Sequence, residues 1–228
     1  MSKNPRKTAA ESGNGGRLSD IGYTRILEIL FDRRIPAGAF VSQNDLVQLT
    51  GVPVGPLRDA LRVLETEGVL TIHPRTGIQF VKPGLELTRS TYQFRGIIEG
   101  AAVAVYAETA DEAEIAAIAG RHVALMANIE RTGLTPEVLA EIEALEQLLH
   151  NSIIACLSNP LIETSYKRMH NYLRLVRLDR KFTAPLALRS LREHIAIIEA
   201  CRQRDPKAAV AALQAHFTFA LQRHMGLY

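Results

Sequence analysis

The first third of the chain repeats apolar residues at helical spacing and then changes to a spacing typical of strands. Three stretches have the helical pattern, at residues 23–35, 43–50 and 52–68. The apolar side of the third stretch consists of Leu57, Ala60, Leu61 and Leu64. The runs "VLTI" and "IQFV" follow, joined by "HPRTG", and they predict a two-stranded β-hairpin.

Capping residues mark the ends of the second and third helices. Ser42, with Asp45 three residues later, resembles a capping box that opens the second helix. Gly55-Pro56 starts the third helix and Gly68 ends it. Two helices joined by a turn and followed by a hairpin predict a winged helix-turn-helix, in which the second of the two helices enters the DNA major groove.

The remainder of the chain, after a linker at 82–88, has helical patterns and no strand pattern. Three helix starts place a capping side chain directly before a proline, at Thr135-Pro136, Asn159-Pro160 and Asp205-Pro206. The patterns predict an antiparallel bundle of about six helices, at about 88–108, 110–131, 136–157, 160–181, 184–204 and 206–225. We therefore expect a mostly α protein, with a winged helix-turn-helix of three helices and a hairpin wing at 21–82 and an all-helical domain at 88–228.

Composition argues against a membrane-spanning or disulfide-rich protein. No apolar run approaches the roughly 18 residues that span a bilayer, and the first 20 residues lack the apolar centre of a signal peptide. Residues 1–20 instead have the composition of a disordered tail. Only two cysteines occur, Cys156 and Cys201, so we expect a reducing, cytoplasmic location and no contact with a membrane.

The excess positive charge lies in the N-terminal part of the chain. Residues 1–84 carry 11 Lys or Arg and 8 Asp or Glu, whereas the remaining residues carry 16 of each. This distribution fits nucleic-acid binding by the N-terminal part, although a charged tail alone would produce much of it.

Ionisable side chains also fall on apolar helix faces of the second domain. The residues concerned are Glu146, His150, His194 and His216. Burying such groups without partners is costly, and a carboxylate with three imidazoles would be satisfied by a shared divalent metal. Periodicity does not select these histidines alone, because His122 and His170 also lie beside apolar residues. Hydrogen-bonded core histidines are the alternative interpretation.

Four segments together carry a resemblance to a known family. The N-terminal one is "IPAGAFVSQNDLVQLTGVPVGPLRDALRVLETEGVLTIHPRTGIQFV", and the others are "FRGIIEGAAVAVYA", "EQLLHNSIIACLSNPLI" and "EHIAIIEACRQRDPKAAVAALQAHF". In this order the chain resembles the GntR family of bacterial transcription regulators, in the FadR-like branch that has a C-terminal FCD domain. Six helices after the winged domain resemble the VanR-type subgroup.

The resemblance implies a DNA-reading role for the third helix, with one departure. The family usually has Ser-Arg-Thr where this chain has Pro53, Val54 and Gly55, so the usual base-reading arginine is absent. Arg58 matches a family arginine that contacts DNA, and Arg62 lies one turn further on. The alternative for Arg58 is a salt bridge with Asp45 or Glu65.

Other candidate DNA contacts come from the helix before the turn, from Gly55 and from the wing. Gln43 and Asn44 begin a helix whose amides favour a phosphate, or they serve only to cap it. The wing tip consists of His73, Arg75, Thr76 and Gly77. It matches the family position that enters the minor groove or follows the DNA backbone, and the alternative is an ordinary solvated turn. Gly55 would let the DNA backbone approach closely, or it is simply a helix-start glycine.

The resemblance also implies a metal and an effector in the helical domain. Many FCD domains bind metal through an Asp, a His four residues later and two further His, positions that match Glu146, His150, His194 and His216 with Glu in place of Asp. Zn²⁺ suits imidazole donors best, with Ni²⁺ as the other candidate. Arg95 matches a family arginine that could hold an effector's carboxylate, or it pairs with Glu99. Further candidate pocket residues are His170, Tyr172 and Arg174.

These features favour a ligand-responsive repressor of a catabolic operon, acting as a homodimer on a two-fold operator. A small organic acid bound beside the metal would shift the population of DNA-binding states. A metal-dependent enzyme that uses the His/Glu cluster is the competing hypothesis. The third hypothesis is a DNA-binding protein whose helical domain serves for dimerisation and does not respond to a ligand.

Overall fold

A computed structural model describes residues 10–178 and 182–225 of the chain. Within those ranges it contains nine helices and one three-stranded antiparallel sheet. The chain divides into two compact units, Met1–Pro83 and Gly84–Tyr228. The predicted fold class, a winged helix-turn-helix followed by an all-helical bundle, is confirmed.

The first unit packs three helices against a small sheet. The helices are α1 (Ala10–Phe31), α2 (Gln43–Thr50) and α3 (Val54–Thr66), and the strands are β1 (Phe40–Val41), β2 (Leu70–His73) and β3 (Gly77–Phe80). The apolar sides of α1 and α3 are buried together, through residues that include Ile26, Leu30, Leu57, Leu61 and Leu64. Burial of these apolar stripes is the main source of stability for such a helical unit.

The predicted two-stranded hairpin is present, but the prediction is incomplete because the sheet has a third strand. Strand β1 pairs with β3, so that Phe40 lies opposite Gln79 and Val41 opposite Ile78, and the strand order is β1-β3-β2. A strand of two residues is too short to show an alternating pattern, and only its partner on β3 defines it.

The predicted helix signals around the turn are mostly correct. Ser42 and Asp45 form the capping box, with Ser42 Oγ accepting from Asp45 N at 3.1 Å. Helix α3, however, begins at Val54 rather than at Gly55-Pro56, and Pro53 precedes it without a side-chain cap. A proline in the first turn is tolerated because the amide it lacks would have no helical partner there.

Two predicted irregular segments are helical over part of their length. Helix α1 begins at Ala10, which corrects the prediction of a disordered tail over 10–20; residues 1–9 of that tail lie outside the described residues. Extending a helix that tertiary packing already holds costs much less than nucleating one. Helix α4 begins at Leu85, so the linker predicted at 82–88 is shorter than expected.

The second unit is a bundle of six helices, as predicted. They are α4 (Leu85–Thr109), α5 (Glu112–Thr132), α6 (Pro136–Ala155), α7 (Pro160–Arg177), α8 (Ala184–Arg202) and α9 (Pro206–His224). The side chains of Thr135, Asn159 and Asp205 cap their helices before Pro at the first helical position, as predicted. Residues 179–181, which were predicted to end α7, lie outside the described residues. Helix α4 packs on α9, α9 on α8, and α8 on α5, so the bundle interior lies among these helices and α6.

Candidate functional site

Four ionisable side chains converge inside the helical bundle. They are Glu146 and His150 on α6, His194 on α8 and His216 on α9, and all four are buried. One nitrogen or oxygen atom from each lies within 4.8 Å of those of the others. The structure therefore brings together the four residues that the sequence singled out.

The three histidines share an unusual hydrogen-bonding pattern. Nε2 of each ring is buried and has no hydrogen-bond partner within residues 10–178 and 182–225, whereas Nδ1 of each ring has one. A buried imidazole nitrogen without a partner is costly unless something not made of protein satisfies it. These residues consequently fit a metal ion, which would accept the three lone pairs.

Two of the Nδ1 atoms face carboxylates. Nδ1 of His150 lies 2.5 Å from Oε2 of Glu99, and Nδ1 of His216 lies 2.9 Å from Oε2 of Glu193. A carboxylate accepts, so each Nδ1–H donates to it and, in a neutral ring, Nε2 keeps its lone pair. Partners of this kind orient metal-ligating histidines in many proteins.

The third ring, that of His194, faces another histidine. Its Nδ1 lies 3.2 Å from Nε2 of His122, a residue of α5 that is 0% exposed. Burial lowers the pKa of His194 well below its ordinary value and lowers that of His122 as well. Burial also lowers the pKa of His216 to about 4, so these three rings are neutral at neutral pH, the form that binds metals.

Glu146 supplies the negative charge of the cluster. Burial by itself would raise its pKa, but the positive charge of Arg177, together with that of Arg95, lowers the pKa well below the ordinary value. The guanidinium of Arg177 also contacts Oε1 of Glu146. One carboxylate and three imidazoles form the type of donor set that Zn²⁺ and Ni²⁺ prefer.

A small cavity adjoins this cluster. Its volume is about 10 Å³, room for about one water molecule. Its lining includes Arg95, Glu146, His150, Tyr166, His170 and Arg177. Nη1 of Arg95 and Nε of Arg177 are buried and have no hydrogen-bond partner among the described residues. Each of these two cationic side chains therefore has an N–H group beside the cluster that is not engaged in a hydrogen bond there.

The predicted effector residues are only partly brought together. Arg95 forms the ion pair with Glu99 that was its alternative, at 2.6 Å, and His170 lines the cavity. Tyr172 and Arg174 are not among the cavity-lining residues, and Arg174 lies 3.9 Å from Glu143 instead. Arg177 was missed, although it follows His170 by seven residues and therefore shares its helix face.

The exposed side of α3 carries the candidate DNA contacts. Val54, Gly55, Arg58 and Arg62 are all exposed. Among the described residues Arg58 makes no ion pair, because Asp45 bonds to Ser42 and Glu65 accepts from the amide of Ile72 at 2.7 Å. Arg62 lies 3.9 Å from Asp59, with both side chains exposed. The salt bridge with Asp45 or Glu65 that was the alternative for Arg58 is therefore not formed in the described part of the chain, and its guanidinium is available.

The wing and the start of α2 present further polar groups. Asn44 is exposed and Gln43 is half-buried at the first turn of α2. Arg75 and Thr76 are exposed at the wing tip, where Arg75 has a φ of 69° and Gly77 a φ of 121°. The side chain of His73 makes contacts within the wing. Its Nε2 lies 3.1 Å from Oε1 of Gln79, and its ring centroid lies 5.3 Å from that of Phe40. Arg75 and Thr76 are thus the wing side chains best placed to reach a partner.

Comparison with known families assigns both units. The family model "Bacterial regulatory proteins, gntR family" matches residues 22–80, and that of the FCD domain matches residues 90–219. The chain therefore belongs to the GntR family, in the FadR-like branch defined by the FCD domain. It is a bacterial transcription regulator with an FCD effector-binding domain, and GntR regulators bind operator DNA.

Individual relatives agree with this assignment. The chain is 23% identical over 195 residues to YdhC of Bacillus subtilis (strain 168), an uncharacterized HTH-type transcriptional regulator, covering 86% of this chain and 85% of YdhC. A GntR regulator of Rhodococcus sp. RHA1 has the same fold, with a TM-score of 0.73 at 18% identity over 95% of this chain and 99% of that one. E. coli McbR/YncC is similar, with a TM-score of 0.72 at 16% identity over 92% and 98%.

The relatives and families are transcription regulators. FCD domains often bind metal, and this chain has the His/Glu cluster described above. In the described part of the chain, none of the helices combines the length and apolar character that crossing a membrane requires.

Proposed function

We propose that this regulator is a metal-dependent repressor whose operator binding is controlled by a small organic acid. The observation that carries the proposal is that the three histidines clustered with Glu146 each have a buried Nε2 atom with no hydrogen-bond partner in the described part of the chain. Nothing in DNA binding requires such a cluster, whereas a regulated metal centre does.

Glu146, His150, His194 and His216 would hold the ion, and Zn²⁺ suits the donors best, with Ni²⁺ as the second candidate. When bound, the ion supplies a concentrated positive charge to which a carboxylate oxygen can bind. The chain's own contribution is to keep the imidazoles of His194 and His216 neutral and the carboxylate of Glu146 charged at that point.

The charges around the cluster support an anionic effector. Four guanidinium groups pair there with three carboxylates: Arg95 with Glu99, Arg177 with Glu146, and both Arg189 and Arg223 with Glu193. A divalent cation would add two further positive charges, which an acid would neutralise. The unused N–H groups of Arg95 and Arg177 could then donate to that acid.

Entry of an acid requires the bundle to open. A cavity of about 10 Å³ is too small for an organic acid, so His170 and Arg177 on α7 would have to move away from α4 and α6. A change of this kind, preferred by the liganded state, would shift the population of the states that bind DNA.

DNA would be read by the exposed side of α3, principally by Arg58 and with a contribution from Arg62. Gln43, Asn44 and the wing tip, which includes His73, Arg75, Thr76 and Gly77, would follow the phosphate backbone. Because Pro53, Val54 and Gly55 offer no side-chain hydrogen bonds to a base, shape recognition would have a larger share than usual. We further propose a cytoplasmic homodimer of the VanR-type subgroup that binds two half-sites.

The test is operator binding under defined metal and ligand conditions. DNA fragments that the protein selects from genomic DNA serve as operators, and their affinity is measured with Zn²⁺ or with EDTA, across a panel of mono-, di- and tricarboxylic acids. We expect at least one acid to weaken binding when Zn²⁺ is present and to have no effect in EDTA. Equal affinity under all conditions would instead support a domain that senses nothing.

A further inference from the structure

The third histidine of the cluster, His194, is positioned by a neutral side chain rather than by a carboxylate. We propose that His122 is a positioning residue of the metal centre, which holds His194 in the tautomer and orientation that bind the ion. The proposal rests on the proposed metal centre and concerns a residue that periodicity alone assigns to the core.

The hydrogen bonds of His122 determine where its proton lies. Its Nδ1 lies 2.8 Å from the carbonyl oxygen of Ile118, one turn earlier on α5. A carbonyl oxygen only accepts, so Nδ1 carries the hydrogen, and in a neutral ring Nε2 is then an acceptor. This acceptor lies 3.2 Å from Nδ1 of His194.

His194 must therefore donate through Nδ1, which leaves the lone pair on its Nε2. That Nε2 atom is buried and has no hydrogen-bond partner among the described residues. The ring of His194 lies beside those of His150 and His216, with centroids 5.3 and 4.7 Å away. The order of bonds runs from the Ile118 carbonyl through His122 to His194, so the backbone of α5 sets the protonation pattern of a ligand on α8.

A neutral partner has a physical advantage at this position. His150 and His216 already have Glu99 and Glu193, and each of those carboxylates is balanced by a guanidinium group. A third carboxylate would add another buried charge, which is costly unless a cation compensates it. His122 provides the acceptor without the charge, and its ring meets that of His194 edge-on at 72°, with centroids 5.3 Å apart.

The experiment compares the Zn²⁺ affinity of four full-length proteins by competition with a chromophoric chelator. His122→Leu removes the acceptor and should bind Zn²⁺ about 10- to 100-fold more weakly than wild type. His122→Gln should recover most of the affinity, because its side-chain oxygen can accept from His194. Ile115→Ala, a buried change on the same helix, should destabilise the bundle and leave the affinity unchanged.

A spectroscopic measurement tests the tautomer directly and needs no variant. Long-range ¹H–¹⁵N spectra of the metal-free wild type, in which no ion fixes the tautomer, should show His194 protonated on Nδ1 and not on Nε2. An Nε2–H tautomer, or equal affinities for His122→Leu and wild type, would overturn the role of His122. Failure of the wild type to bind Zn²⁺ at all would overturn the metal centre itself, so the two failures can be told apart.

Discussion

Arg95 and Glu99, one turn apart on α4, form an ion pair in which both side chains are 0% exposed. Nε of Arg95 lies 2.6 Å from Oε1 of Glu99, and the other carboxylate oxygen accepts from His150. Burial alone would raise the pKa of Glu99, but Arg95 and His150 together lower it to about 2. The pair therefore links the helix that begins the bundle to a candidate metal ligand.

We expect Glu99→Gln to destabilise the bundle by about 3–5 kcal/mol, because it leaves the charge of Arg95 buried and uncompensated. Urea denaturation followed by circular dichroism measures the free energy of unfolding. Glu199→Gln is the control, since it breaks an exposed pair with Arg202 at 2.8 Å and should cause no measurable change. Similar losses in the two variants would contradict a special role for the buried pair.

Stability without metal should fall as the pH decreases, in two ranges. The pKa of His216 is about 4 in the folded chain, below its ordinary value of about 6.5, so protons favour the unfolded chain from pH 6.5 downwards. Each such histidine should cost up to about 1.4 kcal/mol per pH unit between these values. The pKa values of Glu99 and Glu193 are about 2, so their stabilisation is complete above about pH 4.5 and is lost towards pH 2.

Urea midpoints in EDTA at pH 7.5, 6 and 5 measure this dependence. In His216→Gln the free energy of unfolding should depend less steeply on pH between pH 6.5 and 4. The slope should decrease by the equivalent of up to one proton, which is about 1.4 kcal/mol per pH unit. An unchanged slope in that variant would show that His216 does not titrate as proposed.

The double variant His150→Ala/His194→Ala should lose bound metal, because it removes two of the three partnerless nitrogens. Elemental analysis of the purified protein measures the metal content directly. His73→Ala, which changes a histidine of the wing, should retain the wild-type content. Full retention by the double variant would rule out the proposed ligands.

Arg58→Ala should weaken operator binding while the protein remains folded, because this guanidinium is exposed and unpaired among the described residues. If Arg58 binds a base, affinity should fall by about 1–3 kcal/mol and specificity should decrease. If Arg58 binds a phosphate, the affinity should instead depend less steeply on salt: the slope of log affinity against log salt concentration should decrease by about one released counterion. Fluorescence anisotropy at several salt concentrations separates these results, with Arg202→Ala as the control. An unchanged affinity would show that Arg58 does not contact the operator.

Two glycines of the first unit provide a matched pair. A Cβ on Gly77, whose φ is 121°, would lie 2.7 Å from the carbonyl oxygen of Val41, so Gly77→Ala should destabilise the unit by about 1–3 kcal/mol. A Cβ on Gly55 would meet nothing within 4 Å, so Gly55→Ala should stabilise α3 by up to about 1 kcal/mol.

The same Gly55→Ala variant tests how closely DNA approaches α3. If the DNA backbone passes next to Gly55, operator affinity should fall even though the protein is more stable. An unchanged affinity would mean that this glycine only serves the start of the helix.

Local hydrogen bonds explain which features could be predicted. The capping box of Ser42 and Asp45 and the Thr135-Pro136 helix start involve residues within one turn of each other, so their spacing in the chain already specifies them. Strand β1, in contrast, depends on pairing with β3 about 40 residues later, and nothing local to Phe40 and Val41 indicates it. The extension of α1 back to Ala10 likewise depends on a helix that packing holds further along.

The sequence by itself determined the apolar faces, the helix ends, the winged and helical units, and the turn-by-turn spacing that places Glu146 and His150 together. Only the tertiary structure decided that Arg95 pairs with Glu99, that Arg177 and not Arg174 lines the cavity, and that His122 lies within hydrogen-bonding distance of His194. The physical reason is that periodicity specifies the face of a helix on which a side chain lies. The partner of that side chain depends on which helix packs against that face, and at what height.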